Sequence, residues 1–212
     1  MKRLAITVAG IAFLAGAGGG TAAFLLLGKD GAISGNGVSQ VAELREEYRN
    51  QWEALDKEFS GATEDKGVLG DLGLDDLVRQ YMAHNLEVAA FGDPVFCSYE
   101  FLGLDETDAG MNVFLWSHCT ELYESSQTLK EGGAKSEPIV LVMERTAAGY
   151  HIAAHQEPEL GELYASSIRD LFPARFHDKI FPDRYGEKAH NDRVRKLAYL
   201  TQVQGREFYG LQ

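Results

Sequence analysis

The sequence has 212 residues, a formal net charge of −12 and two cysteines. That length suits one domain with helical extensions, and a surface this acidic argues against nucleic acid or anionic lipid as a general partner. No internal repeat is visible. At the amino end, Lys2 and Arg3 precede the uncharged run Leu4–Gly28. Such a run can cross a bilayer core of about 30 Å, and the basic pair before it predicts the amino end inside and the rest outside. Residues 1–28 therefore read as a transmembrane signal-anchor, touching membrane through 4–28. The rival is a signal peptide cut after Ala15-Gly16-Ala17, against which the renewed apolarity of Ala22–Leu27 weighs. Both readings export the bulk of the chain, to a single-pass position on the cell membrane with the domain periplasmic or extracellular.

Residues 29–38 are rich in glycine and serine and read as a linker. Ser39 then caps a helix whose apolar residues Val41, Leu44, Tyr48, Trp52, Leu55 and Phe59 recur every three or four positions. Their mean spacing is that of an ordinary amphipathic helix packed on a domain, with a juxtamembrane dimer helix as the lesser reading. Glycines 61, 67, 70 and 73 punctuate a loop. A second helix is expected from Leu74, with Asp75 and Asp76 in its first turn, where negative charge is favoured. Its apolar face is Leu74, Leu77, Val78, Tyr81, Met82 and Leu86, and His84 lies off that face. Gly92-Asp93-Pro94 ends it.

Phe96–Leu104 and Met111–Cys119 are rich in aromatic and β-favouring residues, and Asp105–Gly110 between them reads as a turn. A turn centred on Asp108 sets Phe101 opposite Leu115, Tyr99 opposite Ser117 and Cys97 opposite Cys119. Opposed residues of the close, non-hydrogen-bonded type can be bridged by a disulfide with little strain. Export to an oxidising compartment supports that bond; the alternative is two buried free thiols. His118 points to the other side of the strand from Cys119, so it is not placed to activate that thiol. Ser125–Glu137 reads as a polar surface loop around Gly132-Gly133. Ile139–Glu144 is the best central strand, turned by Ala147-Ala148-Gly149 into Tyr150–His155. Four successive strands joined by turns make an antiparallel sheet. Short helices follow, one capped near Ser166 or Ser167 and ended by Pro173, another holding Phe176, Ile180 and Phe181. In 184–212 basic residues outnumber acidic ones, and Val194, Leu197, Ala198 and Val203 line one face of a last helix.

Residues able to carry chemistry are scattered. His151 and His155 share a strand face about 13 Å apart, at roughly 3.3 Å per residue, which is too far for one zinc. The carboxylates of Asp105–Gly110 lack the spacing and distal glutamate of an EF-hand. Glu100, Glu121, Glu144 and Glu157 lie on or beside strands, and any two that converge would make an acid and base pair. Ser166-Ser167 lacks a nucleophile-elbow context. Tyr99, Phe101, Phe114 and Trp116 read as sheet core. No catalytic, cofactor-binding or metal residue is assigned.

The run Cys97–Phe181, through CSYEFLG, VFLWSHCTELY, EPIVLVMER, GYHIAAHQEPELGELY and SIRDLFP, resembles a domain of exported bacterial proteins; that resemblance implies no activity. Helices followed by an antiparallel sheet are also similar to the cystatin-like and NTF2-like class, a likeness of fold that warrants no function. The expectation is an α+β domain over 39–183, two amino-terminal helices packed on a four-stranded antiparallel sheet, short carboxy-terminal helices and a basic tail over 184–212. Its expected role is a binding or scaffolding module of the cell envelope, partnered by an envelope protein or a second copy and not by nucleic acid. The alternatives are a small-molecule hydrolase or isomerase with a pocket between helix and sheet, and a ligand-sensing accessory domain.

Overall fold

In the computed structural model the described residues are 35–88, 91–181 and 186–211. The expectations for residues 1–28 lie outside them, and among the described residues no helix is long and apolar enough to cross a membrane. The chain forms two units, Met1–Arg49 and Asn50–Gln212. Helix α1 (Gly35–Phe59) begins inside the expected linker and ahead of Ser39. In the first unit its exposed Arg49 and Glu46 form a pair one turn apart. The side chains of Val41 and Leu44 are outside the described set.

The second unit is built on the hairpin. β1 (Val95–Glu106) and β2 (Gly110–Ser125) pair antiparallel, with Cys97 opposite Cys119, Tyr99 opposite Ser117 and Phe101 opposite Leu115. Cys97 and Cys119 are joined by a disulfide, their Cα atoms 4.1 Å apart. Beyond Phe101 the register shifts and Gly103 faces Phe114. Gly103 takes φ +155°, and a Cβ there would sit 2.5 Å from the Phe176 ring, so glycine is needed for both backbone and space. Because of the bulge Leu102 and Gly103 both lie on the side opposite Phe101, and Leu104 returns to the Phe101 side.

β3 (Thr128–Thr146) and β4 (Gly149–Gln156) complete an antiparallel sheet in the order β1-β2-β3-β4. The expected loop over Ser125–Glu137 is instead mostly strand. Ser126 and Gln127, both at positive φ, make a tight turn, and β3 pairs with β2 from Thr128 onward. Gly132 and Gly133 are a bulge inside that strand. The buried Glu121 carboxylate accepts the N–H of Gly133 at 3.2 Å, and a Cβ on Gly132 would meet it at 2.2 Å. The same carboxylate accepts the N–H groups of Phe91 and Asp93, so the loop before β1 is clasped to the bulge.

The expected pair of amino-terminal helices on the sheet is corrected. After a short helix α2 (Gly67–Asp71), α3 (Asp75–Asn85) covers the first face through Leu74, Val78 and Met82. They pack on Tyr99, Leu115, Ile139 and Leu141 around the disulfide. The second face is covered by helices that follow the sheet: α4 (Tyr164–Leu171), α5 (Ala174–Ile180) and α6 (Glu187–Tyr209). Phe114, Trp116 and Val140 meet Ile168, Phe172, Phe176, Ile180 and Leu197 there. The stretch read as a basic helical tail holds α6, a helix of 23 residues. Of its buried residues, Arg193, Leu197, Thr201 and Gly205 fall four apart and shrink along the helix, while Tyr199 faces α1. At Gly205 a Cβ would lie 2.5 Å from Leu122 Cδ1, so only glycine permits the close approach to β2. The end of α1 packs on α6 and not on the sheet: Trp52 stacks on Tyr199 at 5.3 Å, and the Tyr199 hydroxyl donates to Asp56 at 2.8 Å.

Candidate functional site

The most chemically varied cluster lies on the first face, where the end of α3 crosses β3 and β4. Tyr81 belongs to the apolar stripe of α3, but its phenol oxygen reaches 3.0 Å from His155 Nδ1 on β4. His155 Nε2 lies 3.7 Å from Glu157 Oε1, and Glu157 Oε2 accepts Lys135 Nζ at 2.7 Å. Lys135 also stands 2.7 Å from the Glu137 carboxylate. The tautomer that suits all neighbours puts the proton on Nε2, facing Glu157, and lets the phenol donate to Nδ1. A hydroxyl, an imidazole and a carboxylate thus stand in line, the last held by an ammonium group. Burial raises the Glu137 carboxyl above its ordinary range, with Glu157 adding to the rise and Lys135 opposing it. Burial disfavours the Lys135 charge, but Glu137 and Glu157 outweigh that and hold its proton more tightly than usual. The side chains of Lys135, His155 and Glu157 are each about a quarter exposed, so solvent reaches the line.

A second cluster sits at the start of α3. Residues 62–66 run beside β1, where the Phe101 N–H donates to the Asp65 carbonyl. This brings Glu64 under α3, its side chain 3 % exposed, against the Arg79 guanidinium. Burial pushes the Glu64 carboxyl up to about 7, and Arg79, which also serves Asp75, offsets only part of it. Burial acts on Asp75 too, but hydrogen bonds from Lys66 at 2.6 Å, Tyr99 at 2.8 Å and Arg79 hold it below its ordinary value. Burial and the Asp75 bond raise the Tyr99 phenol. Glu64 is an acid near neutrality, yet its partners tie loop, helix and strand together, a structural use.

On the second face Arg193, its side chain 1 % exposed, makes a two-pronged pair with Glu100 at 2.9 and 3.0 Å and donates to the Lys179 carbonyl. It also lies over the Trp116 ring, 4.9 Å from its centroid. His118 is buried nearby, its Nε2 2.9 Å from Thr120 Oγ1 and its Nδ1 without a partner among the described residues. Burial holds its ring down to about 4.

The structure therefore separates the carboxylates that the sequence offered as a convergent pair. Glu100 serves Arg193, Glu121 binds backbone amides, and Glu144 faces His151 at 3.5 Å on exposed strand. Only Glu157 joins a mixed site, with His155 and without His151. The Asp105–Gly110 turn is closed by Thr107, whose hydroxyl accepts the Gly110 N–H, while Asp105 pairs with Arg175. Ser166 and Ser167 donate to the Leu163 and Tyr164 carbonyls. His84 donates to the Gln80 carbonyl on exposed helix. Tyr99 and Phe101 pack on the first face, Phe114 and Trp116 on the second. Among the described residues no group of three or more His, Cys, Asp or Glu could hold a metal ion. Tyr81, Lys135, Glu137 and Glu64 were not foreseen as site residues; Lys135 and Glu137 fall in the stretch read as loop. No protein-family model, curated protein or solved structure matches this chain.

Proposed function

We propose that the chain is a membrane-tethered binding module of the bacterial cell envelope, held outside the membrane by residues 4–28 and recognising its partner beside Tyr81, His155, Glu157 and Lys135. One observation carries the reading of a binding site: Glu157 Oε1 is buried and accepts no hydrogen bond among the described residues, an unmet acceptor beside His155 and Lys135. A buried acceptor left unsatisfied is costly, and a polar partner that brings a donor to this quarter-exposed line would meet it. The buried disulfide supports an oxidising location.

The test is a photo-reactive residue placed in cells at exposed Gln80 or Asn85, next to the site. A single discrete adduct, formed outside the membrane and lost with His155→Ala, is the expected result. Adducts that ignore His155→Ala, or a domain that only cytoplasmic protease reaches, would overturn the reading.

A second reading, a hydrolase or isomerase, is favoured by one feature: the Glu137 carboxyl, raised by burial, shares Lys135 with Glu157. It requires turnover of an ester or carbonyl substrate that Glu137→Gln abolishes while leaving the fold unchanged by circular dichroism.

A further inference from the structure

Helix α6 runs along β2 from Trp116, beside which His190 and Arg193 lie, to Leu122, against which Gly205 packs. His118 is under the middle of that run. The helix is fastened on both sides of it. Ser98 donates to the Leu197 carbonyl at 2.8 Å, Gln204 to the Cys97 carbonyl at 3.1 Å, and Tyr209 to the Leu122 carbonyl at 3.0 Å. Ser98 and Ser136 are the strand neighbours of His118, and neither serves its ring. Ser136 bonds the Ser117 carbonyl and takes the Trp116 N–H.

The ionisable groups on this face are few. β1 offers Glu100, already paired in two-pronged fashion with Arg193. β3 turns one acid toward α6, Glu131, which accepts the Gln202 side-chain N–H at 2.7 Å beside Leu122, beyond His118 along the strand; Lys135 and Glu137 belong to the first-face cluster. α4 brings the Tyr164 phenol, pushed up to about 12 by burial and by Glu137. α6 brings Arg193 and His190, whose ring holds its proton less tightly than usual because of burial and Arg193. A proton on His118 would therefore be buried under α6 with no carboxylate bonded to the ring among the described residues.

We propose that His118 is a proton-operated latch for α6: with the ring neutral the helix lies on the sheet, and protonation lifts the helix off while the rest of the fold stays closed. The rest can stay closed for two reasons. The first face keeps its own core around the disulfide. On the second face α4 and α5 keep Phe114 against Phe172 and Phe176. Lifting α6 uncovers Trp116 and the β1–β2 surface. The latch is a property of the fold and holds whichever functional reading is right.

The size of the effect follows from the ring's two environments. Its proton affinity is that of a group near 4 when covered and near 6.5 in water, so the open fraction of α6 rises roughly 50-fold between pH 7 and 4.5. Hydrogen exchange of the full chain in detergent, corrected for intrinsic rates, reads this directly. Amides of 187–209 are expected to exchange at least tenfold faster at pH 4.5 than at pH 7, while those of β2 and β3 hold. His118→Asn should abolish the change and His151→Asn should leave it intact. Unchanged α6 exchange, simultaneous exchange of the sheet, or the same response in His118→Asn would overturn the latch. Should His118→Asn fail to fold, the wild-type imidazole titration by NMR, read beside the exchange, decides: a midpoint below 5.5 with faster exchange confined to 187–209 supports the latch, and a midpoint at or above 5.5, or exchange that rises in the sheet as well, refutes it.

Discussion

The two faces of the sheet bury ionisable groups in opposite ways. On the first, Glu64, Asp75, Arg79, Lys66 and Tyr99 share partners, and the strain of burial falls on one carboxyl that holds its proton near neutrality. On the second, Arg193 and Glu100 neutralise each other and the strain falls on one imidazole that refuses its proton. A low-dielectric interior disfavours charge of either sign, so both groups lean to the neutral form. The lesson is in the consequence: a buried acid and a buried base, each neutral, answer acidification with opposite signs.

The comparison can be broken most forcefully at Arg193. Arg193→Met leaves Glu100 facing an apolar neighbour and should cost about 4 kcal/mol in urea unfolding, as expected for halving a buried pair. A cost under 1 kcal/mol would mean that Glu100 escapes to water and that the second face is not held electrostatically. The first face is challenged next by Cys97→Ala with Cys119→Ala. Losing a cross-link that joins residues 22 apart should cost about 3 kcal/mol. No change in the urea midpoint would show the bond to be redundant with the hairpin. At the small end, His151→Ala and Ser166→Ala should stay within about 0.5 kcal/mol of wild type, because both sit on exposed surface. A larger loss would mean that these surfaces carry a partner.

Much of the fold was legible because local signals agreed with it. The Phe96–Cys119 hairpin combined a polar turn with two β-favouring runs, and its register follows from where the turn is centred. The start of α3 was marked by Asp75 and Asp76. The misreadings share a cause: local composition was overruled by distant partners. Gly132-Gly133 looks like a loop, but Glu121 on the neighbouring strand makes it a bulge. The tail looks basic, yet Arg193 is buried because Glu100 lies on β1, far off in sequence. The candidate site was hidden for the same reason. His155 and Glu157 were visible as near neighbours, but Tyr81 comes from a helix before the sheet and Lys135 from a strand read as loop. A pairing of Glu64 with Arg79 leaves no spacing signal, since one residue lies in a loop and the other in a helix.

The central claim is that the two faces respond to protons with opposite sign, and unfolding free energy at pH 8 and pH 5 tests it in wild type, Glu64→Gln and His118→Asn. Glu64 is raised in the fold from 4.5 to about 7, so its stabilisation is full below its unfolded value and is lost as pH rises through 7. His118 is lowered from 6.5 to about 4, so its stabilisation is present above its unfolded value and is lost as pH falls through 4. Between pH 8 and 5 the two nearly cancel in wild type. Removing Glu64's proton should make acidification cost about 2 to 3 kcal/mol more than in wild type, and removing His118's should make it cost about 2 kcal/mol less. Equal pH dependence in all three proteins, or shifts of the same sign in both variants, would contradict the account.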